Sequence, residues 1–153
     1  MTDNLFAICE PRADVLKGAL RESDFAADLA QVLRGDAPDE YRLPALFFAN
    51  TYPTKGLKNV LKLVALRVLG RPEQVGAIFR LDTQFGGGKT HTLIALAHAM
   101  QGLQGVANAD EFLEAALRPS SPVRIAAFDG ENADPVNGRR LGDDIRAHTR
   151  WGE

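Results

Sequence analysis

This 153-residue sequence has little cysteine, a small net charge and few long apolar runs. Its one cysteine, Cys9, excludes a disulfide framework or a multi-cysteine zinc site within one copy of the chain. No apolar stretch approaches the length of a membrane span, and the start Met-Thr-Asp-Asn does not resemble a secretion signal, so we expect a cytoplasmic protein without a membrane partner. A net charge of -2 argues against tight binding to bulk nucleic acid, although a local basic patch would not show in this total.

The most informative feature that is present is a run of three glycines followed by lysine and threonine, Gly86-Gly87-Gly88-Lys89-Thr90. It follows a short apolar run and precedes a helix-like stretch, which is the context of a phosphate-binding loop. Successive glycines let backbone N–H groups turn toward a polyphosphate at the positive end of the following helix. We therefore predict that Lys89 contacts the β- and γ-phosphates and acts in catalysis, and that Thr90 is a ligand of Mg²⁺.

The glycine motif departs from the full phosphate-loop pattern at one position. That pattern places its first glycine six residues before the lysine, where this sequence has Thr83. The departure alters the entry to the loop rather than the part that touches phosphate. The alternative interpretation is an ordinary glycine-rich turn between a strand and a helix.

Two apolar runs predict buried strands, over residues 77–81 and 123–128. Between them the sequence predicts a helix over residues 89–100 and a second, short helix beginning at Asn108 with a capping box. This order implies a parallel sheet. We predict an α/β fold: an incomplete P-loop NTPase-type parallel sheet flanked by helices and preceded by a helical N-terminal region.

The region before the glycine motif has helical spacing and helix punctuation. Ser23 is a candidate cap for a helix that ends at Gly35, and a short helix is expected after Pro44. A stronger helix is predicted over residues 55–69, with Thr54 as its cap and a glycine stop signal after it. These helices have packing faces and carry no obvious chemistry.

Carboxylates follow the second predicted strand, in the segment 129–134. Ligands of doubly wound sheets collect at the carboxyl ends of strands, and ATPases hold magnesium and attacking water with acids there, so Asp129 and Glu131 are candidate catalytic residues. The alternative is that these side chains organise a tight loop through hydrogen bonds to the backbone. Arg139 and Arg140 could neutralise phosphate charge or serve a neighbouring subunit as an arginine finger, but exposed surface arginines are the favoured interpretation.

Several sequence blocks together resemble the large ATPases grouped as domain of unknown function 499. The blocks cover nearly the whole chain and are more specific together than the glycine motif alone; they are residues 11–18, 25–29, 47–57, 79–83, 85–91 and 128–135. The resemblance implies an AAA-type P-loop ATPase that uses ATP and Mg²⁺. It also implies self-assembly and a genomic association with DNA methyltransferases and helicases in islands associated with phage defence.

By this resemblance, the nucleotide site is the segment from Gly86 to Thr90 with its neighbours Phe85 and His91. Proteins of this kind are much longer than this chain, so we expect residues 1–72 to form a helical N-terminal region with the pre-loop helix, and residues 73–153 to form only the first part of a truncated ATPase core. We accordingly expect weak nucleotide binding and poor hydrolysis.

Two other functions fit the sequence. One is a regulatory module that binds nucleotide without turnover. The other is a small P-loop kinase acting on a metabolite, which is less favoured because such enzymes usually open with the phosphate loop, whereas more than half of this chain precedes Lys89. Base preference and direct contact with nucleic acid stay open.

Overall fold

The structure is a computed structural model that describes residues 10–11, 13–18, 27–70, 75–82, 86–127, 139–141 and 145–147. Within these residues the elements are mainly helical. They are α1 (Ala13–Leu16), α2 (Leu29–Arg34), α3 (Asp39–Arg42), α4 (Pro44–Ala49), α5 (Lys55–Val68), α6 (Lys89–Ala99), α7 (Ala109–Phe112), a 3-10 helix (Ala115–Leu117), β1 (Arg139–Leu141) and β2 (Ile145–Ala147).

Local side-chain chemistry sets the start and end of α2. The Asp28 carboxylate accepts hydrogen bonds from the amides of Ala30 and Gln31 at 2.7 and 3.2 Å, and Gly35 ends the helix in the left-handed conformation. The predicted end at Gly35 is confirmed. The predicted start is wrong, because α2 begins at Leu29 with Asp28 as its cap; the predicted cap, Ser23, lies outside the described residues.

The helix α5 begins and ends almost where the sequence predicts. The Thr54 hydroxyl accepts from the Leu57 amide at 3.2 Å, and Gly70, with φ of 76°, follows the last turn. The short helix after Pro44 is also confirmed as α4, with the proline in its first turn. The predicted helix from Lys89 is confirmed as α6.

The short helix at Asn108 is confirmed as α7, but its capping box is not formed. The Asn108 side chain instead donates from Nδ2 to the Phe48 carbonyl oxygen at 3.0 Å. This bond joins the start of α7 to the end of α4. A side chain predicted to serve its own helix therefore connects two helices.

One hydrophobic core joins α4, α5, α6 and α7. Phe47, Phe48, Leu61 and Ile94 are its largest fully buried side chains. The Phe48 ring meets Phe47 edge-on at a centroid distance of 5.3 Å and Phe112 at 4.7 Å. Residues before and after position 72 contribute to this core, and the domain boundary at 72/73 stays a prediction.

The predicted parallel sheet is wrong, because the described parts of the two apolar runs form no strand. Ile78 is 91% exposed, and Arg80 and Asp82 form an exposed ion pair at 3.0 Å with each other. In the second run, the Val123 amide donates to the Met100 carbonyl at the end of α6. The first run is thus largely exposed rather than buried in a sheet, and the second is bonded to the end of α6 rather than to a strand. A short apolar run cannot be assigned to a sheet by its spacing alone.

The strands that the described residues do contain are β1 and β2, which pair antiparallel with Arg140 opposite Arg146. They form a two-stranded ribbon and supply no parallel neighbour for either apolar run. None of the described helices is long and apolar enough to cross a membrane.

Candidate functional site

The glycine loop lies on the surface and leads directly into α6. Gly86 and Gly88 both have φ of 76°, a left-handed conformation that L side chains rarely adopt. Residues 86–90 are exposed. A Cβ at either of these two glycines would meet nothing within 4 Å, so backbone conformation rather than crowding favours glycine.

The first turn of α6 presents backbone N–H groups without a side-chain cap. Gly88 is the N-cap residue and has no side chain that could accept from them. Its carbonyl accepts from both the amide and the hydroxyl of Thr92, each at 2.9 Å. The helix is 11 residues long and its positive end faces the exposed loop, an arrangement that favours a bound anion.

Lys89 and Thr90 occupy the first two positions of α6, and both are exposed. Lys89 also lines an apolar cavity of about 360 Å³, whose walls come from α5, α6 and the segment before the glycine loop. The other walls of this cavity are aliphatic and aromatic: Val60, Val64, Phe79, Leu81, Leu93 and Leu96. The lysine therefore lies where an apolar wall meets the exposed glycine loop.

His91 lies in the same first turn, but its ring faces the core. The ring stacks on Phe47 with centroids 4.5 Å apart and an interplanar angle of 29°. Its Nε2 lies 2.9 Å from the Thr51 hydroxyl oxygen, and that hydroxyl donates to the Phe47 carbonyl oxygen at 2.6 Å. Burial lowers the pKa of His91.

The hydrogen bonds of Thr51 determine which nitrogen of His91 carries a proton. A hydroxyl has one hydrogen, and that of Thr51 is donated to the Phe47 carbonyl, so the oxygen must accept from Nε2–H. The neutral ring then has an acceptor at Nδ1. Thr51 is only 8% exposed, and its donor and one acceptor position are both used.

A second histidine, His98, lies two turns further along α6 and is buried more completely than His91. Its Nε2 lies 2.7 Å from the Tyr41 carbonyl oxygen, to which it must donate. Burial lowers the pKa of His98, and the hydrogen bond to the Tyr41 backbone opposes that shift. His98 therefore links α6 to the end of α3 and has a structural role within the core.

Some of the predicted site residues lie outside the described part of the chain: Phe85, Asp129 and Glu131. Arg139 and Arg140 lie in β1, where only the backbone is described. The structure therefore brings Gly86, Gly87, Gly88, Lys89 and Thr90 together at one exposed helix start and turns His91 inward. In the described ranges no three His, Cys, Asp or Glu side chains gather in a way that could hold a metal ion.

Thr51 is the residue that sequence reasoning missed. It is 40 residues away from His91, and no spacing or motif in the sequence links the two. Helical periodicity assigns faces within one helix and does not pair residues across a loop. The pairing becomes visible only once α4 and α6 pack together.

These features define a helical domain with an exposed glycine loop at the start of a helix. The chain belongs to the DUF499 N-terminal domain family, whose family model matches residues 6–124. The matched range contains the glycine loop and all the described helices. No curated protein and no solved structure matches the chain.

Proposed function

We propose that this chain is a nucleotide-binding part of a DUF499 protein, and that the segment Gly86–Thr90 holds the triphosphate of ATP with Mg²⁺. The observation that carries the proposal is the exposed loop with two left-handed glycines that runs directly into an 11-residue helix beginning Lys-Thr. Backbone N–H groups at such a helix start are suited to phosphate, and they are not capped by a side chain here. The proposal concerns this loop and helix, not a sheet.

Each residue of the loop has a chemical task in the proposal. The glycines let the backbone approach the phosphates closely. Lys89 places a positive charge at the β- and γ-phosphates, and the Thr90 hydroxyl enters the magnesium shell. Phe85 and His91 flank the loop, and Asp129 and Glu131 are the proposed acids for water activation.

The partners of the proposed activity are supported by the family resemblance. It favours ATP over other nucleotides, self-assembly, and coupling to DNA-modification or helicase proteins in phage defence. The chain on its own is proposed to hydrolyse ATP poorly. Tight binding without turnover, also in a chain extended beyond Glu153, would instead favour a regulatory nucleotide-binding module.

Equilibrium binding of a fluorescent ATP analogue with Mg²⁺ tests the proposal. The variants are Lys89→Ala and, as the matched control, Lys58→Ala, which removes an exposed lysine from α5 outside the loop. We expect Lys89→Ala to weaken binding about tenfold or more, because a charged hydrogen-bond donor to phosphate is lost. Lys58→Ala should bind as the unaltered chain does.

Competition with unlabelled ATP, GTP and inorganic triphosphate separates base recognition from phosphate recognition. Far-ultraviolet circular dichroism of every variant establishes that it is folded. A folded chain that shows no saturable binding, or a Lys89→Ala variant that binds as well as Lys58→Ala, contradicts the proposal and leaves the loop as a structural turn.

A further inference from the structure

We propose that Thr51 and His91 are positioning residues that hold the glycine loop in its binding geometry. The inference rests on the proposed nucleotide site and adds to it two side chains, one in the first turn of α6 and one in the bend that follows α4. Neither side chain needs to touch the nucleotide. Their task is to fix where α6 begins and how it is rotated about its axis.

The pair ties the first turn of α6 to the end of α4. His91 is two residues after Lys89, and Thr51 is two residues after the last residue of α4. Nε2–H of His91 donates to the Thr51 hydroxyl at 2.9 Å, which donates in turn to the Phe47 carbonyl at 2.6 Å. The His91 ring rests on Phe47, so a hydrogen bond and a stacked ring both hold it against α4.

The rotation of α6 follows from this anchor. Successive helical residues are about 100° apart, so a side chain at 91 that faces the core turns those at 89 and 90 away from it. Lys89 and Thr90 are accordingly exposed, whereas Ile94 and Ala95 are buried. If His91 lost its anchor, the first turn would lose the contact that sets this orientation.

The anchor is specific, because the Thr51 hydroxyl is buried and satisfied. Its hydrogen goes to Phe47 and its oxygen accepts from His91. Removing the hydroxyl leaves a half-buried imidazole N–H without its partner, and such a loss is costly. A serine at 51 would supply the same hydroxyl.

The test compares isosteric and conservative variants in the full chain. Thr51→Val removes the hydroxyl and keeps the shape, and Thr51→Ser keeps the hydroxyl. His91→Leu removes the donor, and His91→Gln keeps an amide donor near the position of Nε2. The control for general loss of stability is Leu117→Ala, a core truncation in the 3-10 helix.

The first measurement is the tautomer of His91, from imidazole ¹⁵N chemical shifts without nucleotide. We expect Nε2–H in the unaltered chain and in Thr51→Ser, and a loss of this preference in Thr51→Val. Because this measurement does not involve nucleotide, it tests the anchor independently of the proposed function. An Nδ1–H tautomer in the unaltered chain overturns the inference.

The second measurement is the affinity for Mg²⁺-ATP. We expect Thr51→Val and His91→Leu to bind about three- to tenfold more weakly, the range expected for one lost hydrogen bond, and the two conservative variants to bind within about twofold of the unaltered chain. Leu117→Ala should lose stability without losing affinity.

The outcomes distinguish the two claims. Equal affinity in Thr51→Val and Thr51→Ser, or an equal loss of affinity in Leu117→Ala, overturns the positioning role and leaves the nucleotide site in place. Absence of nucleotide binding in the folded, unaltered chain overturns the proposed function, and the positioning role falls with it.

Discussion

At the residue scale, substitution by alanine should have opposite effects on stability at two glycines, because one is in a left-handed conformation and the other is in a right-handed helix. Gly88 has φ of 76°, whereas Gly56 lies inside α5, and a Cβ at either position would meet nothing within 4 Å. Gly88→Ala should therefore cost about 1 kcal/mol of unfolding free energy through backbone strain, and Gly56→Ala should add about 0.5–1 kcal/mol.

Urea unfolding monitored by circular dichroism measures both glycine variants against the unaltered chain. The comparison controls for the added methyl group, because neither site is crowded. Stabilisation by Gly88→Ala would show that the loop does not require a left-handed residue at the start of α6.

The two described histidines predict a dependence of stability on pH. Burial lowers the pKa of both His91 and His98 below the ordinary value of 6.5. The unfolded chain therefore binds protons more readily, so the free energy of unfolding should be at its full value above pH 6.5 and fall as pH decreases toward the lowered folded pKa values. Urea midpoints at pH 7.5, 6.5 and 5.5 measure this.

The control for the pH effect is the double variant His91→Gln with His98→Gln, which keeps side-chain hydrogen-bond donors and removes titration in this range. Its midpoints should change less between pH 7.5 and 5.5 than those of the unaltered chain. Identical pH dependence in both proteins would exclude these histidines as its source.

At the element scale, α5 illustrates how far local sequence can predict structure. Its cap, its start and its glycine stop are set by neighbours within a few residues, so spacing and capping rules suffice. The runs at 77–81 and 123–128 are different, because a strand requires a neighbouring strand to bond with. The local sequence pattern does not identify that neighbour. The predicted sheet failed at that step, and the Thr51–His91 contact was missed for the same reason.

At the scale of the element, we predict that the Thr54 cap stabilises α5. Thr54→Ala removes the acceptor that binds the Leu57 amide and should cost about 1 kcal/mol of unfolding free energy. Thr54→Ser retains the acceptor and should cost much less. Chemical denaturation of the three proteins measures the difference, and equal stability of the alanine and serine variants would show that the cap does not stabilise α5.

At the scale of the whole molecule, the aromatic core joins segments from before and after the glycine loop. Phe48 is fully buried, packs on Phe47 and Phe112, and its carbonyl accepts from Asn108. These rings join α4 to α7 directly, and they belong to the hydrophobic core that also contains residues of α5 and α6. The first turn of α6 contacts the same set, because His91 stacks on Phe47.

This dependence predicts a global effect of truncating the core. Phe48→Ala should cost about 3–5 kcal/mol, a large share of the stability of an ordinary domain. Tyr52→Ala, at an 81% exposed aromatic close by in sequence, should change stability by no more than about 0.5 kcal/mol.

Unfolding of the core variants is followed by circular dichroism and by amide hydrogen exchange. If the alanine variant does not fold, the loss of stability is measured with Phe48→Leu, which keeps part of the buried volume. A Phe48→Leu variant as stable as Tyr52→Ala would contradict the central place of Phe48 in the core.

The proposed nucleotide site is tested best by the affinity of the folded chain for Mg²⁺-ATP with and without the Lys89 ammonium group. Such a site predicts saturable binding that Lys89→Ala weakens about tenfold or more and Lys58→Ala leaves unchanged. Absence of binding by the folded chain, or equal binding by both lysine variants, would contradict it.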